Sequence, residues 1–128
     1  MEYTKHSSQL SGDRQYSACA LLIGENGENL VAVASGRSSG MEVWNPVDGT
    51  VKNLTSDFPL YSGYNRTPRM ISVGDGSELI FYESVITNNP AKGVWKYHSS
   101  NNTWTQLGEM IKGRDDFAVL HVKGVSCP

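Results

Sequence analysis

The chain has 128 residues, 38% hydrophobic and 19% charged, with a formal net charge of −2. This is the size and composition of one globular domain rather than of a disordered chain. With no basic run longer than a pair, there is no electrostatic footprint for nucleic acid or an anionic membrane surface, and neither is expected as a partner. No stretch approaches the ~20 apolar residues of a membrane-spanning helix, and residues 1–6 lack the apolar core of a signal peptide, so no membrane insertion is expected, and a cytoplasmic location follows only if the chain is complete.

Residues 1–13 are polar and aperiodic and predict a flexible lead-in. From residue 16 onward, short apolar or alternating runs are separated by turn signals. Residues 16–23 suit a buried strand, Glu25-Asn26-Gly27 a hairpin turn, and residues 29–34 the return strand. Asn-Gly favours such a turn because both residues tolerate positive φ. A loop at 35–40 leads to a third strand at 41–44, and Asn45-Pro46-Val47-Asp48-Gly49 turns the chain into a fourth at 50–54. The series then repeats. Strands at 70–73 and 78–82 flank Asp75-Gly76, with the same turn chemistry as the first hairpin; a loop at 84–92, a strand at 93–97, a polar turn and a strand at 103–107 follow. Residues 115–122 alternate and predict one additional C-terminal strand. No window sustains a helical period, so the chain reads as all-β.

The two series match residue for residue over their apolar parts. Leu30-Val31-Ala32-Val33, Val43-Trp44 and Leu54 correspond to Leu79-Ile80-Phe81-Tyr82, Val94-Trp95 and Leu107, at offsets from 49 (Leu30 to Leu79) to 53 (Leu54 to Leu107). Four short strands in a period of about 50 residues make one propeller blade. The run Val94-Trp95-Lys96-Tyr97-His98-Ser99-Ser100-Asn101-Asn102-Thr103-Trp104-Thr105-Gln106-Leu107, with Glu109-Met110 and Arg114 after it, resembles the second half of a kelch repeat: a hydrophobic-x-Tyr strand, a polar turn, Asn-x-Trp and Leu. Glu42-Val43-Trp44-Asn45-Pro46 resembles the same element, with Val51 in place of the second Trp; Ser35-Gly36 and Glu83-Ser84 replace the family's Gly-Gly doublet. The resemblance implies two four-stranded antiparallel kelch-like propeller blades, 14–64 and 65–113, with the additional C-terminal strand in 114–128 as the start of a third blade or a closing strand and tail. In such blades large aromatics fill the wedge between sheets, the expected place of Trp44, Trp95 and Trp104. Propellers close with about four to eight blades. Two blades therefore imply either further blades from a longer chain or a homo-oligomer.

Catalysis needs a constellation, and the sequence offers none. His6, His98 and His121 stand at no metal-ligand spacing, no nucleophile elbow is present, and Asp115-Asp116, adjacent on a strand, point to opposite faces. Cys19 and Cys127 are too few for a disulfide scaffold. No catalytic, cofactor or metal site is assigned. The kelch resemblance implies a ligand face built by residues 35–40, 56–64, 84–92 and 108–112. Arg37, Ser38, Ser39, Tyr61, Tyr64 and Arg66, in or beside these loops, bring together guanidinium and aromatic groups, which protein-binding hot spots favour, with serine hydroxyls. The plainer alternative packs Tyr61 and Tyr64 across the blade junction and leaves Arg37 exposed. The expected function is a non-catalytic protein–protein interaction module with a protein partner. The alternatives are a fragment of a propeller enzyme, oxidase or glycan hydrolase, with active residues in other blades, and a partial gene product without independent function. Asn53, Asn65 and Asn101 open Asn-x-Ser/Thr sequons; as glycosylation sites they would fit an extracellular chain with an upstream signal peptide.

Overall fold

A computed structural model describes residues 9–10, 17–34, 40–54, 68–83, 93–112 and 118–119. Among them are eight strands and no helix. The strands are β1 (Ala18–Ile23), β2 (Asn29–Ala34), β3 (Met41–Trp44), β4 (Val51–Asn53), β5 (Arg69–Val73), β6 (Glu78–Tyr82), β7 (Gly93–His98) and β8 (Thr103–Glu109). They form two four-stranded antiparallel meanders, β1-β2-β3-β4 and β5-β6-β7-β8. The fold is all-β, as the turn-punctuated alternation predicts. Of the predicted C-terminal strand only residues 118 and 119 are described, and neither belongs to a strand.

The two leading hairpins do not share one turn. Gly24 N–H donates to Glu28 O (2.9 Å) and Gly27 N–H to Gly24 O (3.0 Å), closing a three-residue loop. Gly27 alone in that loop is left-handed (φ 77°), so Asn26-Gly27 is not the doubly left-handed turn that the dipeptide predicts. The second hairpin instead places left-handed Gly74 (φ 65°) and Gly76 (φ 96°) on either side of Asp75. A clamp common to three turns is a side-chain oxygen accepting the hydroxyl two residues on. Asp48 takes Thr50 (2.7 Å), Asp75 takes Ser77 (2.5 Å) and Asn101 takes Thr103 (2.6 Å).

Hydrogen-bond phase fixes which face of each sheet is apolar. A strand residue directs its N–H and C=O to one neighbouring strand, and for an L-residue that choice fixes the face taken by its side chain; both alternate along the strand. In the first sheet the Gly24–Glu28 bond puts Leu22 in phase with β2, and Leu54 N–H to Met41 O (2.8 Å) turns Met41 and Val43 outward to β4. Ala18, Leu22, Ala32, Ala34, Met41 and Val43, all buried, therefore share one face. In the second sheet Ser99 N–H to Ser77 O (3.2 Å) and Glu83 N–H to Gly93 O (3.0 Å) turn Leu79 and Phe81 toward β7. Leu79, Phe81, Trp95 and Tyr97 thus occupy the opposite face from that used by the first sheet.

These two faces join in one hydrophobic core, against which Trp95 and Trp104 also pack. The sheets meet unlike face to unlike face, a small, alanine-rich surface against an aromatic one. Trp104 stands edge-on to Phe81 (6.2 Å, 87°) and tilted on Tyr97 (5.1 Å). The first strands of the two sheets, β1 and β5, lie side by side with their turns at the same end. There Ile23 N–H donates to Gly76 O (2.8 Å) and the Ser72 hydroxyl to Leu21 O. Close approach requires Gly76, since a Cβ on it would stand 2.7 Å from Ile23 Cγ1.

Two sequence expectations change here. Trp44 pairs with Val31 as Trp95 pairs with Phe81, in the same phase, so Trp44 holds the corresponding place on the first sheet and lies on the face turned away from the second. The counterpart of Phe81 is consequently Val31, 50 residues earlier (81 − 31), and not Ala32. β8 also runs past the expected end at residue 107, and Leu107 is 55% exposed where Leu54 is 6% exposed.

Candidate functional site

Meander topology sorts the connections to two ends. Four tight turns, at 24–28, 45–50, 74–77 and 99–102, sit at one end; the strand ends Ala34, Met41, Asn53, Arg69, Tyr82 and Gly93, which flank residues 35–40, 54–68 and 83–92, sit at the other. The candidate partner-binding residues Arg37, Ser38, Ser39, Tyr61, Tyr64 and Arg66, with Asn65, lie outside the described residues. What the structure gives is the frame they depart from. Its best-defined part is a clamp between β6 and β7, where the Glu83 carboxylate accepts Gly93 N–H (2.9 Å) and Trp95 Nε1–H (2.9 Å). Gly93 leaves no room for a side chain, because a Cβ would stand 2.8 Å from both the Glu83 carboxylate and Trp95 Nε1.

The turn end carries a feature that the sequence did not signal. A cleft of about 490 Å³ opens between Leu22, Leu30, Val43 and Leu54 of the first sheet and Tyr97 and the 99–102 turn of the second. An adjoining groove of about 370 Å³ shares Glu28, Leu30, Val43 and Lys52 with it and continues to Asp48 and Thr50. The walls are fixed by local bonds. Glu28 Oε2 accepts Asn26 N–H (3.0 Å), and the buried Tyr97 hydroxyl donates to Asn102 Oδ1 (3.0 Å). The Thr50 hydroxyl and N–H hold the Asp48 carboxyl below its ordinary value of 3.8, and Ser77 does the same for Asp75. Glu25 and Glu28 read in the sequence as a solvated turn; only the folded chain sets them across from residues 99–102.

On the outward face of the second sheet, Glu78 takes both Lys96 Nζ (2.7 Å) and His98 Nδ1 (2.9 Å). Burial pushes the Tyr82 phenol upward. His6, His121 and Cys127 lie outside the described residues, and Cys19 is exposed. Asn53 ends β4 and Asn101 stands in the β7–β8 turn, both exposed. Among the described residues no three His, Cys, Asp or Glu side chains gather as a metal site. Comparison of the chain with family models, curated proteins and solved structures finds no match.

Proposed function

We propose that the chain is a pair of adjacent kelch-type propeller blades and works as a non-catalytic protein–protein interaction module within a larger propeller. The observation that supports this reading is the packing of unlike faces. Sheets joined like face to like face are complete as a pair. Sheets joined alanine face to aromatic face repeat by rotation, as blades around an axis do, and such a series can close into a ring. Trp44, at the position of Trp95, suits the first sheet to the same role toward a preceding blade. Further blades come from a longer polypeptide or from copies of this chain. The end opposite the tight turns is the ligand face, with Arg37, Ser38, Ser39, Tyr61, Tyr64 and Arg66 as its contact residues. Affinity capture with quantitative mass spectrometry on the wild-type chain and on the R37A/Y64A/R66A variant tests this. Captured proteins should be lost from the variant while its circular dichroism stays that of the wild type. An unchanged captured set from a folded variant would overturn the assignment.

A further inference from the structure

The cleft between the two sheets reaches from the tight turns down to Leu54 and has the make-up of a second binding site. We propose that it takes an extended peptide segment of alternating apolar and basic residues, supplied by a partner protein. Apolar side chains would rest on Leu30, Val43 and Leu54, and arginine or lysine side chains would reach Glu28 and Asp48. Three observations carry this, and none depends on the blade reading. The first is size: about 490 Å³ falls within the range of ligand pockets, roughly 300–1,000 Å³. The second is shape. The cleft and its adjoining groove share Leu30 and Val43 and together reach from Tyr97 to Asp48. Such a course matches an extended backbone, which advances about 3.3 Å per residue with every second side chain on one side. The third is charge. Among the described residues, Glu25, Glu28 and Asp48 face one cation, Lys52, along this surface, a balance of −2 (one minus three). The ion pairs among the described residues, both at Glu78, involve none of the four. The bonds from Thr50 lower the Asp48 carboxyl below its ordinary value of 3.8.

Fluorescence anisotropy of the full chain with fluorescein-labelled Arg-Leu-Arg-Leu-Arg tests the site, with Arg-Ser-Arg-Ser-Arg as the control peptide. The leucine peptide should bind saturably. E28Q/D48N, which keeps each acceptor oxygen and removes two charges, should weaken it roughly 5- to 20-fold, as expected for two partly exposed ion pairs. The serine peptide should bind at least as weakly to the wild type. Thermal melts followed by circular dichroism establish that the variant is folded. Equal binding by E28Q/D48N, or equal binding of the serine peptide, would overturn the proposal. R37A/Y64A/R66A should bind the leucine peptide as the wild type does; loss there would place the site at the other end and overturn it too.

Discussion

Gly93 and Glu83 act as one unit, and their energetics follow from atoms less than 3 Å apart. A methyl group on Gly93 would meet the Glu83 carboxylate and Trp95 Nε1 at 2.8 Å, so Gly93→Ala should cost about 1–3 kcal/mol, the usual range for overpacking. Glu83→Ala leaves Gly93 N–H and Trp95 Nε1–H without their shared acceptor and should cost a similar amount, about 1–3 kcal/mol. Both are measured by chemical denaturation, and the double variant should fall short of additivity because each change destroys the same contact. Asp48 and Asp75 predict an acid dependence. Their folded pKa values lie below 3.8, so the unfolded chain takes up protons first as pH falls. Their contribution is present above pH 3.8 and is lost as pH drops through the folded values. Thr50→Val with Ser77→Ala, which removes the leading cause of both shifts, should lower the melting temperature near pH 6 and converge on the wild type in strong acid.

The turns concentrate most of the special backbone geometry among the elements. Asn102 has φ 51° and accepts the hydroxyl of Tyr97, which is 3% exposed. Asn102→Ala should cost about 1–2 kcal/mol or more through left-handed strain plus the lost acceptor, whereas Asn102→Gly should recover the strain and not the bond. Comparing the two in one denaturation series separates the terms. The eight strands were legible in the sequence because alternation and glycine-, asparagine- or aspartate-bearing turns are local signals. Turn type was less so, since Asn26-Gly27 could fill either loop and the choice belongs to the closing pair Gly24–Glu28. The end of β8 was not legible at all: it is an outer strand, and residues 105–109 are exposed, so no burial pattern marks where it stops. The offset that aligns the apolar runs hides the sheet faces for a related reason. Five residues separate the paired ends Ile23 and Asn29, and four separate Val73 and Glu78. That single residue reverses the bonding phase of the two hairpins, and an alignment of apolar residues does not reveal it.

At the scale of the whole molecule one core serves both sheets, so it should melt as one. Phe81 is fully buried against Trp104 at the junction, and Phe81→Ala should cost about 3–5 kcal/mol. A single transition, coincident by far-UV dichroism and tryptophan fluorescence, should move to lower denaturant; two separated transitions would mean that the sheets are held independently. The cleft could not be read from the sequence because its walls come from residues as far apart as Leu22 and Asn102, brought together only when the faces meet. The candidate partner residues, by contrast, rest on the loops that the kelch resemblance implies and on residue type within them, and they lie outside the described residues. Packing of unlike faces also gives the junction a direction. The face left open on the second sheet carries the Glu78, Lys96 and His98 cluster and not alanines, so the junction does not regenerate the surface that it used. It is an asymmetric coupling, one small-residue face to one aromatic face, and a further sheet on the open side would have to meet charge rather than alanine.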